Sequence, residues 1–288
     1  MTMPLAFGKD QWFAWDVAGK TGWKFGGGIT GGGPRDGFTR RRRAWIGGRK
    51  VSVPGRNTLG GSVSFDATAD SVAMMGQGLP VAGVLPATYF SGDTGYRTWV
   101  HEACIVSRLG WQLSEGGCLQ GEISWLSLPP YSLVAAPTEE PTPTSTSTFE
   151  DWACSLELDG VGTYEVVEVS IVQDNIASFW NSIKARSAGA LRNADWIVYG
   201  TPECTAEMTL AIPPDVDFME DCPEAAGTLV ITADAPCEEG AKTLTITVPN
   251  LAWSPPPEEA YMPDETGVIL WRCALEQSTA AAMSWTFA

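Results

Sequence analysis

The sequence predicts a mainly β protein made of two tandem β-sandwich or β-barrel domains. Three observations predict this class: apolar and polar residues alternate over strand-length runs, Gly and Pro are frequent, and the second half repeats the design of the first. The 31 Gly and 20 Pro among 288 residues favour turns over long helices. Each domain is expected to carry one short flanking helix and one long loop that contacts another subunit.

Residues 203–212 give the clearest strand signal. Their even positions, from Cys204 to Ile212, are apolar, and their odd positions are polar as far as Thr209. This period of two predicts a strand with one buried and one solvated face. A glycine corner at Gly200 separates the strand from a short apolar run at 196–198. The polar outward positions are Glu203, Thr205, Glu207 and Thr209.

The same design occurs earlier in the chain. A shift of 145 places Gly55 on Gly200 and Val63 on Met208 with the strand faces in agreement. A shift of 146 places the motif Gly-x-Ile-x-Trp of 121–125 on the same motif at 267–271. A nearly constant shift with conserved face parity predicts an internal duplication.

The duplication defines the predicted domains. They cover residues 1–136 and 149–288, joined by a linker at 137–148 whose Pro, Thr and Ser residues offer nothing apolar to bury. Thr68–Leu79 is predicted as the short helix of the first domain, and 81–95 as a loop.

Long loops are predicted before the paired strand of each domain. In the first domain this loop is glycine-rich at 26–34 and arginine-rich at 35–43. In the second it spans 176–192, where a loop with some helix is favoured over a helix. Two loops at one topological position suggest a shared task, such as contact with a neighbouring subunit.

Arginines are the candidate contact residues in these loops. A run of four arginines needs an anionic surface opposite it. An acidic surface of another copy, plain solvent, and nucleic acid are the three alternatives. The candidates are Arg40, Arg41, Arg42, Arg43, Arg186 and Arg192.

The charge is distributed unevenly between the halves. Residues 1–148 carry 13 Lys and Arg against 11 Asp and Glu, whereas 149–288 carry 5 against 23, so that the sum is −16. This distribution does not suit a protein that wraps DNA, which needs many cationic contacts to phosphate. It suits a surface that repels nucleic acid, or self-assembly between unlike faces.

Residues with catalytic chemistry are sparse. The single histidine, His101, lies in a predicted strand and is expected to be structural. No nucleophile motif or zinc-ligand spacing is visible, and we expect neither a cofactor nor an enzyme. The seven cysteines are odd in number and are expected as buried thiols rather than disulfides or metal ligands. The N-terminus does not resemble a secretory signal, and no apolar run is long enough to span a membrane, so folding in a cytosol is expected.

Two stretches carry a resemblance to a known family. The segment RSAGALRNADWIVYGTPECTAEMTL resembles the major tail tube proteins of long-tailed, siphovirus-like bacteriophages, and GRNTLGGSVSFDATADSVAMM resembles the same element followed by the helix of that family. The resemblance covers both halves, and the duplication suits the branch of the family with two domains per chain. It implies β-sandwich or barrel domains, each with a flanking helix, that join edge to edge into rings. These rings are expected to be trimeric with pseudo-sixfold symmetry, or alternatively hexameric.

The resemblance also implies a function. The chain is expected to be a structural virion protein whose stacked rings form the tail tube, a conduit for phage DNA from capsid to host. Partners would be other copies of the chain, the tail terminator, the baseplate and the tape-measure protein, with DNA only in non-specific transit and no membrane. Assembly is expected in the host cytoplasm. Glu203, Thr205, Glu207 and Thr209 then become candidates for the lumen wall, because an anionic face repels phosphate. The alternative is a cell-surface carbohydrate-binding or adhesin protein, which the 13 Trp and the Thr/Pro linker favour.

Overall fold

The structure is a computed structural model, and it is mainly β. It describes residues 12–17, 20–26, 29–46, 49–68, 84–93, 97–128, 131–134, 148–150, 154–158, 165–180, 192–193, 195–212, 227–235, 242–254, 258–261 and 269–288. No helix occurs in these segments, and accordingly none of them holds a helix long and apolar enough to cross a membrane.

The described strands fall into two sets. Those of the first half are β1 (Trp12–Val17), β2 (Lys20–Gly26), β3 (Ile29–Ile46), β4 (Arg49–Asp66), β5 (Val84–Asp93), β6 (Arg97–Ser114), β7 (Gln120–Ser127) and β8 (Tyr131–Val134). Those of the second half are β9 (Cys154–Leu158), β10 (Glu165–Asp174), β11 (Ser178–Trp180), β12 (Arg192–Asn193), β13 (Trp196–Val198), β14 (Glu203–Ile212), β15 (Gly227–Ala235), β16 (Lys242–Trp253), β17 (Glu258–Tyr261), β18 (Ile269–Gln277) and β19 (Ser284–Phe287).

The strands of the two halves pair in the same order. In the first half the antiparallel order is β3–β4–β7–β6–β5–β1–β2, and β8 lies along β6. In the second half it is β10–β14–β18–β16–β15–β9, and β19 lies along β16. Of the strands of the first half, β2 has no described counterpart in the second half. β17 continues the line of β16 along β18. A duplication would produce this correspondence, strand by strand.

A joint between β6 and β10 makes one continuous sheet from the two halves. β5 pairs with β6 only as far as Ile105. β10 pairs with the following part of β6, with Arg108 opposite Asp174 at one end and Ser114 opposite Glu168 at the other. β6 and β10 are antiparallel, so the ladder of the first half runs directly into that of the second.

The register refines the alignment of the halves. If β4 is placed on β14 with Val63 on Met208, the partners opposite them are Ile123 and Cys273. Ile123 therefore corresponds to Cys273 and not to Ile269, and the predicted alignment of the Gly-x-Ile-x-Trp motif is wrong by four positions. The difference is even, which is why the motif still matched in face parity.

The core lies on one face of this sheet and extends through both halves. In the first half Phe65 and Trp111 meet edge to face, with ring centroids 6.3 Å apart. In the second half Met208, Leu210 and Ile246 are at most 3% exposed. Burial of each such side chain stabilises the fold by about 1.5–3 kcal/mol.

The strand predicted at 203–212 is confirmed. β14 covers these residues, and its burial alternates along the strand, with Cys204 and Met208 inside. The glycine corner before it is also present, since β13 ends at Val198 and β14 begins at Glu203. Gly200 fits there because Ile176 packs closely on it, with the Ile176 Cβ 3.2 Å from the position a side chain would take.

Two predicted loops are wrong. Residues 29–46, which include most of the glycine-rich stretch and all of the arginine-rich one, form the long strand β3. The predicted loop at 81–95 contains β5. Of the segment 176–192, residues 178–180 form the short strand β11, and 181–191 lie outside the described residues. In each case the backbone hydrogen bonds to a partner strand form the strand, although the local sequence pattern does not indicate one. The proposed corner at Gly55 is likewise absent, because β4 runs through it.

Two predictions lie almost entirely outside the described residues. Of the helix at 68–79 only Thr68 is described, and of the linker at 137–148 only Thr148. These two residues form an isolated antiparallel bridge with each other.

Candidate assembly surface

The second face of the sheet is polar, and β14 forms part of it. Glu203, Thr205 and Glu207 are exposed, and Thr209 is partly exposed. The neighbouring strands continue this face, because Glu207 lies opposite Ser170 of β10. On the other side, Thr205 and Thr209 lie opposite Glu276 and Arg272 of β18.

The polar face crosses the joint into the first half. Gln112 of β6 is opposite Ser170, and its Nε2 donates to Glu168 Oε1 at 3.1 Å. Further along, Gln120 Nε2 donates to Asp66 Oδ1 at 3.1 Å. The polar sheet face therefore extends from β4 to β18 as one surface.

The polar sheet face is anionic. The charged residues on it whose side chains the structure describes are Asp66, Glu122, Glu168, Asp174, Glu203, Glu207 and Glu276, against Arg108 and Arg272. Seven carboxylates against two guanidinium groups leave a formal charge of −5. Such a face repels a polyanion, and salt screens the repulsion beyond about 10 Å at 0.1 M.

A buried amide network fixes the joint from the core side. Asn175, which follows β10, is fully buried and donates from Nδ2 to Val106 O at 2.8 Å. Its backbone N–H donates to Ser107 O at 3.0 Å. These contacts lie where the register of β6 against β7 shifts, between Val106 and Arg108. The network therefore provides hydrogen-bond partners for backbone carbonyl groups that the pairing of β6 with β7 leaves unpaired at this irregularity.

Gln173 extends the network to β14 and the C-terminal segment. Its Nε2 donates to Asn175 Oδ1 at 2.8 Å, and its Oε1 accepts from the backbone N–H of Met283 at 2.8 Å and from the thiol of Cys204 at 3.7 Å. The backbone N–H of Cys204 in turn donates to Gln277 Oε1 at 2.8 Å. Four segments distant in sequence are thus held together at one buried point.

Of the five described cysteines, all of them thiols, three are core residues, and Cys118 and Cys154 are partly exposed. Cys104, Cys204 and Cys273 are buried. Burial raises the pKa of the Cys204 thiol to about 11. Burial, together with the nearby Asp66 carboxylate, raises the pKa of Cys118 to about 11 as well. These two thiols stay protonated at neutral pH and are poor nucleophiles. Cys222 and Cys237 lie outside the described residues.

The distal parts of β3 and β4 form a two-stranded arm, here called arm 1. β4 pairs with β7 only from Leu59 onward. Before that point, and apart from a short contact with β12, the described partners of β3 and β4 are each other, as far as the pair Ile46–Arg49. From Leu59 to Arg49 an extended strand reaches about 33 Å. Arm 1 is therefore a long projection from the edge of the sheet.

The candidate arginines divide between this arm and its neighbour. Arg40–Arg43 lie on β3 opposite Pro54–Val51, in the distal part of arm 1. Arg192 lies in β12, which pairs in parallel with β4 at Arg56 and Asn57. Arg186 lies outside the described residues. The structure thus replaces the predicted arginine-rich loop with a stiffer hairpin.

The second half carries a shorter hairpin at the equivalent position, here called arm 2. β11 and β13 pair antiparallel, with Trp180 opposite Trp196. The base of arm 2 bends at Ile176, a non-glycine residue with a φ of +50°. Asp174 Oδ1 accepts from the backbone N–H of Ile176 at 2.6 Å, and Gly200 N donates to Asn175 O at 3.1 Å. The bend is therefore a fixed feature of the structure.

Among the residues whose side chains the structure describes, all the exposed large hydrophobic ones belong to arm 2 and its base. They form the surface here called the aromatic patch: Ile176, Trp180, Trp196, Val198 and Tyr199, each between 42% and 56% exposed. Sequence reasoning missed this patch because its two tryptophans meet only through strand pairing. It also missed Gln173, although a polar residue that continues the buried parity of Val169 and Ile171 is a detectable signal.

His101 lies within β6, opposite Thr88 of β5 and Tyr131 of β8. It is thus a central strand position in the first half, flanked by a strand on each side. The structural role expected for His101 stays a prediction.

Comparison with known proteins now gives the family. No curated protein matches the chain. A family model described as phage tail tube protein matches residues 16–267, which is most of the chain and includes both arms, the joint and the polar sheet face except its β18 part. The chain belongs to the phage tail tube protein family.

Proposed function

We propose that this structural tail tube protein forms rings of three chains, in which the joint between its own halves is repeated between chains. The stacked rings form a conduit for phage DNA, lined by the polar sheet face. The observation that carries the proposal is the intrachain pairing of β6 with β10, because each of these strands has a counterpart elsewhere in the chain whose edge is open.

The open edges are those of β3 and β17. β3 corresponds to β10, and β17, which continues β16, corresponds to the part of β6 that pairs with β10. Among the described residues β3 pairs only with β4, and β17 only with β18. Open strand edges invite pairing with another chain. Joining β17 of one chain to β3 of the next would use both edges and close a ring.

The register of the interchain joint follows from the intrachain one. In the joint, Gly110 lies opposite Val172. Val172 lies opposite Thr205 of β14, and Arg35 lies opposite Gly60 of β4. Gly60 falls on Thr205 when β4 is placed on β14, so Arg35 is the counterpart of Val172. The counterpart of Gly110 is found in the same way.

Gly110 lies opposite Glu122 of β7, and Glu258 lies opposite Arg272 of β18. Glu122 falls on Arg272 when β7 is placed on β18, so Glu258 is the counterpart of Gly110. The interchain joint therefore sets Glu258 of one chain opposite Arg35 of the next. Opposite charges at facing positions stabilise a strand pair by about 0.2–1 kcal/mol. The sequence thus fits a register that was derived from strand geometry alone.

Ring size follows from strand number. Each half contributes four strands to the continuous sheet, so three chains give a wall of 24 strands. At a spacing of about 4.8 Å between strands, the wall has a diameter of at least about 37 Å, and strand tilt widens it. This exceeds the barrels of 16–18 strands that already enclose an aqueous channel.

The polar sheet face is proposed as the lumen side. Its opposite face is the core, which the other strands of each half cover, so only the polar face is available to line a channel. Glu203, Thr205, Glu207 and Thr209 would then lie on the wall. Their carboxylates and hydroxyls repel or weakly contact phosphate, and DNA could pass without sticking.

Arm 1 is proposed to dock on the acidic second half of a neighbouring chain. Replacing Arg40–Arg43 together with alanine should weaken tube assembly and reduce its sensitivity to salt, because ion pairs between subunits are lost. Replacing Arg97, which lies in β6 outside the arm, is the control. Unchanged assembly and unchanged salt dependence in the fourfold variant would refute this docking.

Negative-stain microscopy of the purified protein tests the function. Tubes or rings are expected. Dispersed monomers that bind glycans would contradict it and favour an adhesin. The proposal also includes a non-enzymatic role, assembly in the host cytoplasm, and contacts with tail terminator, baseplate and tape-measure proteins at the ends and inside of the tube.

A further inference from the structure

We infer that the aromatic patch on arm 2 is the docking surface for arm 1 of the neighbouring chain in the same ring. This inference rests on the proposed ring and names the contact that accompanies its interchain joint. The occupant is a second copy of this chain, namely the distal part of its β3–β4 hairpin with Arg40–Arg43.

The aromatic patch is incomplete as it stands. In β11 and β13 the side chains of Trp180, Trp196 and Val198 are exposed on one face, whereas Phe179 and Ile197 are partly buried on the other. An isolated two-stranded hairpin is at best marginally stable in water. Exposed aromatic side chains that cluster on one projection are typical of interaction sites. Arm 2 therefore gains from a cover that the described part of its own chain does not supply.

The contact between the two arms of one chain locates that cover. β12, close to the end of arm 2, pairs with β4 at Arg56 and Asn57, near the base of arm 1. The alignment that places β4 on β14 takes Arg56 and Asn57 to Thr201 and Pro202. If the interchain joint repeats the intrachain one, the end of arm 1 of the next chain lies beside Thr201 and Pro202.

This position adjoins the patch. Thr201 and Pro202 directly follow Tyr199 and Gly200, and Gly200 packs against Ile176. The end of arm 1, at the Ile46–Arg49 pair, would thus reach the base of arm 2. Arg43 precedes Ile46 by only three residues of β3. The arginines of one chain and the aromatic residues of the other are therefore brought to the same place by the fold.

The chemistry of the two surfaces is complementary. Guanidinium groups stack on tryptophan and tyrosine rings, with a stronger attraction than to phenylalanine. The end of arm 1 also contributes Trp45 and Ile46, which can cover apolar surface. Glu203 and Asp174, both exposed near the base of arm 2, add carboxylates for the remaining arginines. A patch of this composition fits a segment that is both cationic and apolar.

A photo-crosslinking experiment on assembled tubes tests the inference. Benzoylphenylalanine is placed at position 199, where it resembles tyrosine in shape, and the tubes are irradiated and digested for peptide mass spectrometry. We expect an interchain cross-link to a peptide within 38–54. The same probe at Glu157, an exposed residue of β9, should not reach that peptide. Intact tubes whose position-199 cross-links fall elsewhere would overturn the inference and leave the tube function standing.

A double variant supplies an independent test. Trp180→Ser with Trp196→Ser should lose rings and tubes while keeping the melting temperature of the monomer, because both side chains are more than half exposed in the single chain. The control, Ser155→Ala with Glu157→Ala on the exposed side of β9, should assemble normally. Normal assembly of the tryptophan variant would overturn the inference. Failure of the unmodified protein to assemble would instead refute the proposed function.

Discussion

At the scale of single residues, Gln173 has the most consequential position in the joint. Its replacement by methionine keeps the length of the side chain and removes its hydrogen bonds. Asn175 Oδ1 and the backbone N–H of Met283 would lose a partner inside the core. We expect Gln173→Met to lower the free energy of unfolding by about 3 kcal/mol, since each buried unsatisfied group costs about 1–3 kcal/mol.

The matched control is Gln112, which is exposed and donates to Glu168 on the polar sheet face. Gln112→Met should change the free energy of unfolding by at most about 0.5 kcal/mol. Urea denaturation followed by tryptophan fluorescence measures both variants. Equal effects at the two positions would show that the buried network does not stabilise the joint.

Gly60 and Gly110 make a second matched pair. A methyl group at Gly60 would overlap the backbone oxygen of Trp125, whereas one at Gly110 would have its nearest contact at 3.6 Å, to the backbone oxygen of Ile171. Gly60→Ala is expected to destabilise the protein by about 2 kcal/mol, because backbone must move. Gly110→Ala should be neutral or stabilise by up to about 1 kcal/mol. Thermal melting measures the stability of both variants. A Gly60→Ala variant as stable as the unmodified protein would contradict this packing.

Because the Cys204 thiol is buried, we expect the folded protein to lose stability at high pH. The pKa of this thiol is raised by burial from the ordinary 9.0 to about 11, so the folded state holds the proton more tightly than the unfolded state. The resulting stabilisation is complete below about pH 9 and is lost as pH rises through about 11. In Cys204→Ala, melting temperature should fall less steeply from pH 8 to pH 11 than in the unmodified protein. Parallel curves for the two proteins would refute this linkage.

At the scale of elements, the interchain joint makes a prediction about charge. Either Arg35→Glu or Glu258→Arg alone should raise the protein concentration needed for tube assembly, by about 2- to 5-fold for each joint, because like charges then face each other. The double variant restores the opposite pair and should assemble almost normally. Light scattering against protein concentration measures this.

The control for this charge reversal is Glu157→Arg, an exposed position on β9 that is outside the joint. It should assemble as the unmodified protein does. A double variant no better than the worse single variant would mean that β17 and β3 do not meet in this register.

The elements also show what sequence could predict. β14 was predictable because its alternation is contained within one strand. β3 was not, because its glycines and arginines carry no alternation, and only the pairing with β4 makes them a strand. β5 was hidden for the same reason by Pro86 and Gly92. Local pattern therefore finds the strands with a buried face, and misses those that depend mainly on a partner.

The candidate assembly surface divides in the same way. Glu203 and Glu207 were predicted on the outward face of a strand, and they are exposed there. The arginines were predicted as a contact surface, although on a loop rather than on an arm. The aromatic patch was beyond reach, because Trp180 and Trp196 come together only through strand pairing. The parity of Gln173 signals a buried polar residue, but its partner Met283 is identified only in three dimensions.

At the scale of the whole molecule, the equivalent strand order of the halves is the basis of the account. Among the described residues, one chain contains one complete joint, and β3 and β17, the counterparts of the joined strands, have open edges. The chain thus resembles a third of the proposed ring with sixfold pseudo-symmetry. The uneven charge of the halves would provide electrostatic attraction between chains in such a ring. Every joint between chains would set the arginine-bearing arm of a first half against an acidic second half.

The most direct measurement is an electron cryomicroscopy map of the assembled tube. The account predicts three chains per ring, β17 of each chain paired with β3 of the next, and Glu203 and Glu207 on the lumen wall. A ring of six chains, or a wall in which the polar sheet face points outward and the core strands face the channel, would contradict it.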